Sequence, residues 1–154
     1  MNAEALGEEL NEMVALATRG MLRYVVDSTP YLTTKTFAIW NQVRAIGDAV
    51  TAHGRALTGM LEQLEVPQRP ASYSIDMGRF PFTSLESLLP CLIDEARRRV
   101  DVNERAAALA EEDEALRRQL DSMLEENRAH LEKMQAFQLK LAAPDADRAV
   151  SPQS

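Results

Sequence analysis

The chain has 154 residues, of which 45% are hydrophobic and 27% charged, and its formal net charge is −7. This length and apolar content predict one domain with a packed core and exclude a largely disordered chain. The acidic balance argues against nucleic-acid binding, since contacting phosphates requires clustered Lys and Arg. Gly is scarce, with 6 residues, and the abundance of good helix formers favours an all-α class.

The first half of the sequence predicts two long amphipathic helices. Apolar residues at helical spacing indicate a first helix over about 3–27, which ends before Pro30, and a second over about 33–64. Gly20 lies inside the first helix, where glycine costs about 1 kcal/mol relative to alanine. We therefore expect a close approach at Gly20, either by a neighbouring helix or by Trp40.

The second half predicts a long connection, two more helices and a tail. The connection covers 66–83, the third and fourth helices cover about 84–110 and 113–142, and the polar end 144–154 is predicted to be disordered. At about 3.3 Å per residue, the 18-residue connection can extend over about 55–60 Å, which is enough to cross the length of a bundle. Such a crossover makes the second and third helices parallel. Residues 1–143 are thus predicted to form an up-down-down-up four-helix bundle.

The second and fourth predicted helices carry the same inward-facing pattern, and the only two histidines occupy the same place in each. Steps of three and four put each set of seven residues on one helix face. The first set is Val43, Ile46, Val50, His53, Leu57, Met60 and Leu64. The second set, at a constant offset of 77, is Leu120, Met123, Asn127, His130, Met134, Phe137 and Leu141. Both imidazoles are therefore expected to converge inside the bundle.

This combination of crossover and repeated histidine helix resembles the ferritin-like superfamily. In its di-iron members, the first and third helices each supply a Glu, and the second and fourth each supply Glu-x-x-His. Here His53 and His130 match the histidine positions, but Val50 and Asn127 stand three residues before them, where the resemblance implies Glu. Glu126 lies four residues before His130 and reaches such a site only from the neighbouring face.

The resemblance implies four candidate metal ligands, namely His53, His130, Glu95 and Glu12, with Glu9 as a rival to Glu12. Two histidines and two carboxylates could hold one ion such as iron or zinc. The other interpretation has no cofactor and places the histidines in a buried polar cluster with Asn127, Glu95 or Arg99, in which Glu95 pairs with Arg99 four residues later. Arg99 lies on the apolar stripe of its helix and needs a carboxylate partner, so the sequence leaves both interpretations open.

Two functional hypotheses follow. In the first, the bundle has lost di-iron chemistry, is not an enzyme, and acts as a homo-oligomer or as a module that binds a protein partner. Apolar positions such as Ile39, Trp40 and Leu61 are the predicted contacts for dimerisation. In the second, it is an iron-handling or oxidase-type metalloprotein that uses His53 and His130.

The predicted location is the cytoplasm. Cys91 is the only cysteine, so no internal disulfide can form, and the N-terminus lacks the basic start of a signal peptide. Cys91 lies in an apolar run, where we expect it to be buried. No apolar run approaches the roughly 20 residues of a membrane span, so no membrane partner is expected.

Overall fold

The computed structural model describes residues 2–74, 77 and 83–143. The helices are α1 (Ala3–Arg19), α2 (Met21–Ser28), α3 (Thr34–Gln63), α4 (Leu85–Leu109) and α5 (Glu114–Ala142). Within these residues there is no strand, only an isolated bridge between Tyr31 and Ser84. The predicted all-α class is confirmed. Residues 75–76 and 78–82 of the predicted crossover and the predicted disordered tail 144–154 lie outside the described residues.

A break at Gly20 divides the first predicted helix into α1 and α2. Gly20 has an extended backbone, with φ −80° and ψ 174°. A Cβ atom at this position would meet the Leu16 backbone carbonyl and would lie 2.5 Å from Oε1 of Glu95 in α4. The neighbouring helix expected to approach Gly20 is therefore α4, through the Glu95 carboxylate, and the Leu16 carbonyl of α1 also lies close. In the described part of the chain, α1 and α2 together take the place of the first of the four predicted helices.

Side-chain caps explain where the long helices begin. The side chains of Asn2, Ser84 and Asp113 each accept a hydrogen bond from a backbone N–H in the first turn of α1, α4 and α5. Thr33 and Thr36 form a reciprocal capping box at the start of α3. Such caps satisfy N–H groups that have no partner within the helix and each stabilise it by about 1 kcal/mol.

Two apolar clusters form the core, one towards each end of the bundle. Helix α1 packs against α3 and α4, and α5 packs against the same two helices. One cluster includes Trp40, Leu92 and Met134, and the other includes Leu10 and Leu120. Among the described residues, no helix is both long and apolar enough to span a bilayer.

Two expectations about exposure are wrong. Ile39, Trp40 and Leu61, the predicted dimer contacts, are buried in the chain's own core because they face the other helices. Cys91, predicted to be buried, is exposed. Its apolar neighbours Leu88 and Leu92 lie three residues before it and one after it, and the core lies on their side of α4.

Candidate functional site

The structure brings the two histidines together between α3 and α5. The rings of His53 and His130 are stacked, with centroids 6.1 Å apart and an angle of 27° between their planes. Both residues are partly buried, and 12% of the His53 side chain is exposed. Because each lies at the same step of the repeated helix pattern, the pattern brings both rings to one level of the bundle.

His53 pairs with a carboxylate that comes from α5. Its Nε2 lies 2.5 Å from Oε2 of Glu126, whose side chain is 55% exposed. Glu126 therefore does reach the histidines from the neighbouring helix face. This pair closes the outer side of the site, where it is in contact with solvent.

His130 lies in a less polar environment. Burial, the positive charge of Arg99 and the nearby His53 together lower the pKa of His130 from its usual 6.5 to about 4, with burial as the largest cause. The buried Nδ1 of His130 has no hydrogen-bond partner among the residues that the structure describes. Near neutral pH, His130 is therefore an uncharged imidazole.

Glu95 is held by three donors. Its Oε1 accepts a hydrogen bond from the Met21 N–H at 2.6 Å, and its Oε2 accepts one from the Leu22 N–H at 3.0 Å. Nη1 of Arg99 donates to the same Oε2 at 3.2 Å. The carboxylate thus caps the N-terminus of α2, where the helix dipole favours negative charge, and also neutralises Arg99.

Arg99 is a guanidinium inside the bundle, with only 5% of its side chain exposed. Burial lowers the pKa of Arg99, and the nearby Glu95 carboxylate opposes that change. Arginine nevertheless stays protonated in proteins. Its Nε and Nη2 atoms are buried and have no hydrogen-bond partner in the described part of the chain.

Glu12 lies apart from the histidines. It pairs with Arg98 at the surface between α1 and α4, and one of its carboxylate oxygens is 3.8 Å from Nη2 of Arg105. Of the four candidate ligands, the structure therefore brings together His53 and His130. Glu95 pairs with Arg99, whose charge acts on His130, and so it is linked to the histidines only indirectly. Glu12 lies at the surface.

A chain of buried amides completes this polar cluster, and the sequence analysis did not identify its member Asn103. Asn127 Nδ2 donates to Oδ1 of Asn103 at 3.0 Å, and Asn103 Nδ2 donates to the Leu120 carbonyl at 3.0 Å. Oδ1 of Asn127 has no partner among the described residues. The signal for Asn103 was its place on the apolar stripe of α4, four residues after Arg99.

A central cavity of about 10 Å³ lies at the junction of the two apolar clusters. It is lined by Met13, Ala17, Val50, His53, Leu57, Arg99, Met123 and Asn127. Beside it, a surface groove of about 380 Å³ between α3 and α5 shares His53 and Met123 with the cavity. These two side chains therefore separate the interior from the groove.

The residues present do not fit a di-iron centre. Val50 cannot bind a metal, Asn127 offers a neutral oxygen, and Glu95 is already bound by three donors. The guanidinium of Arg99 puts a positive charge beside the histidines and opposes binding of two cations there. No group of three His, Cys, Asp or Glu able to hold a metal occurs within residues 2–74, 77 and 83–143. No family model, curated protein or solved structure matches the chain.

Proposed function

We propose that the chain is a ferritin-like bundle without di-iron chemistry, and that it acts as a homo-oligomeric or partner-binding module in the cytoplasm. The observation that carries this proposal is the position of Glu95. Its two oxygens accept hydrogen bonds from the Met21 and Leu22 N–H groups at the start of α2 and from Nη1 of the buried Arg99. Glu95 thereby joins α2 to Arg99 of α4. A carboxylate needed for metal chemistry is thereby used for folding.

The up-down-down-up order of the proposal is supported by the bridge next to α3 and α4. The Tyr31 N–H donates to the Thr83 carbonyl at 3.2 Å, and the Leu85 N–H donates to the Tyr31 carbonyl at 3.0 Å. These residues lie just before α3 and at the start of α4, so the two helices begin at the same end of the bundle. This arrangement is the one expected for parallel helices joined by a crossover.

Self-association is proposed through the end of the molecule where α3 begins and α5 ends. Tyr31, Phe37 and Leu139 are exposed by 65%, 63% and 74%. A hydrogen bond of 2.7 Å from Lys35 Nζ to the Leu141 carbonyl shows that the two helix ends are neighbours. Large exposed apolar side chains are common at protein–protein contacts.

Sedimentation velocity tests the oligomer. We expect a dimer or larger assembly for the wild-type chain at micromolar concentration. Phe37→Ser combined with Leu139→Ser is expected to shift it to monomer, whereas Ala52→Ser, on an exposed face of α3, serves as the control and leaves it unchanged. A wild-type monomer at several hundred micromolar would contradict self-association.

The alternative is an iron-handling or oxidase-type metalloprotein that uses the residual site of His53 and His130 for iron or zinc. The distance of 6.1 Å between the two ring centroids supports it. Elemental analysis of protein purified without chelator separates the two functions. We expect less than 0.1 metal ion per chain, and a stoichiometric metal that is lost in His53→Ala and in His130→Ala would establish the alternative.

A further inference from the structure

The buried edge of Arg99 is the strongest indication of a binding site for a small ligand. Nε and Nη2 carry the parallel N–H groups on one edge of the guanidinium, and this edge has no partner among the described residues. Glu95 occupies only Nη1. Two parallel N–H groups match two oxygens of a planar oxyanion such as a carboxylate.

The orientation of Asn127 adds a second requirement. Its Nδ2 donates to Asn103, whose own Nδ2 donates to the Leu120 carbonyl, so the direction of the chain fixes the Asn127 amide. Oδ1 of Asn127 is therefore the atom left without a partner, and Asn127 lines the same cavity as Arg99. A carbonyl oxygen repels an anion unless the ligand presents a hydrogen to it.

We propose that the central cavity binds a small planar oxyanion that carries one hydroxyl group, with hydrogencarbonate as the simplest member of this class. Two of its oxygens accept hydrogen bonds from Nε and Nη2 of Arg99, and its O–H donates to Oδ1 of Asn127. This site is independent of the oligomeric function proposed above. A metal cation is disfavoured there by the charge of Arg99, and a halide cannot donate to Asn127.

The ligand enters from the groove between α3 and α5. The cavity of about 10 Å³ has room for one water-sized group, so a four-atom oxyanion requires its lining to move. Met13 and Met123 line it, and methionine side chains are unbranched and change rotamer readily. Met123 also lines the groove, so a rotamer change of Met123 is the proposed route from solvent into the cavity.

Titration of the wild-type protein tests the proposal directly. The probe is the Nε–H resonance of Arg99 in ¹⁵N-labelled protein at pH 8, at constant ionic strength. We expect a saturable shift with sodium hydrogencarbonate and no shift with chloride. Formate, which lacks the hydroxyl group, should bind about tenfold more weakly, because losing one hydrogen bond of about 1.4 kcal/mol corresponds to a factor of ten in affinity. Equal shifts with all three salts, or none, would overturn the proposal and leave a cavity that holds water only.

Two variants test the assigned residues. Hydrogencarbonate should raise the thermal midpoint of the wild-type protein, because a ligand that binds only the folded state stabilises it. Arg99→Lys removes the parallel N–H groups and should abolish this increase. The matched control Arg97→Lys, on the exposed face of α4, should retain it. Asn127→Leu should reduce the tenfold preference over formate to about one. An unchanged preference would remove Asn127 from the site. If Arg99→Lys does not fold, the wild-type titration decides alone.

Discussion

Replacing Glu95 by Gln tests whether the ion pair with Arg99 organises the interior. The two side chains are 11% and 5% exposed, and the change leaves the buried guanidinium without a counter-charge. Removing one partner of a buried pair costs about 3–5 kcal/mol. Gln keeps one oxygen for the Met21 and Leu22 N–H groups, so the cap is weakened rather than lost. With a urea m-value of about 2 kcal/mol/M, the unfolding midpoint should fall by about 1.5–2.5 M.

Urea unfolding followed by circular dichroism at 222 nm measures this loss. Glu12→Gln is the matched control, because Glu12 pairs with Arg98 at the surface and such pairs contribute at most about 1 kcal/mol. Adding Arg99→Met to Glu95→Gln removes the unpaired charge and should recover at least about 2 kcal/mol. A Glu95→Gln variant whose free energy of unfolding lies within about 1 kcal/mol of the wild-type value would refute the reasoning, because a buried charge without a partner should destabilise the fold by more than that.

Three further predictions concern the backbone, pH and the thiol. Gly20→Ala should cost about 1–3 kcal/mol in urea unfolding, because its Cβ would meet the Leu16 backbone carbonyl and would lie 2.5 Å from Glu95 Oε1. The control Gly59→Ala, with no atom within 4 Å, should stabilise by about 1 kcal/mol. His130 is neutral in the folded state, so the free energy of unfolding should fall as the pH drops from about 6.5 to 4. After allowance for its partial exposure, the loss should be about 1–2 kcal/mol. His130→Gln should remove this part of the pH dependence. The exposed Cys91 should react with one equivalent of a thiol reagent without denaturant; no reaction would contradict its position.

Sequence periodicity predicted the helices and the meeting of the histidines, because helix geometry fixes which residues share a face. His53 and His130 occupy the same step in two helices that pack together, and their rings lie 6.1 Å apart. The break at Gly20 could not be located in the same way. It depends on Glu95, 75 positions away in the chain, which accepts the N–H groups that start α2.

The partners of charged residues were only partly predictable. Arg99 and Glu95 lie four apart on one helix stripe, so their pairing follows from local geometry and is one of the two interpretations that the sequence allowed. The resemblance implied Glu12 as a candidate ligand, but Glu12 sits on the flank of its helix and pairs with Arg98 of α4 at the surface. Contacts at a helix flank depend on the rotation of both helices, which the apolar stripe leaves uncertain by tens of degrees.

The repeated pattern of α3 and α5 matches in its apolar positions and differs in its polar ones. Asn127 and Glu126 of α5 correspond, at the offset of 77, to Val50 and Ala49 of α3. As a result, α5 supplies a carboxylate to His53, whereas α3 supplies none to His130. Burial and the charge of Arg99 therefore act on His130 with only a weaker opposing effect from Glu126, and its pKa falls to about 4. Equal packing positions thus produce two imidazoles in unequal electrostatic environments. His53 pairs with the Glu126 carboxylate, whereas His130 lies near the positive charge of Arg99.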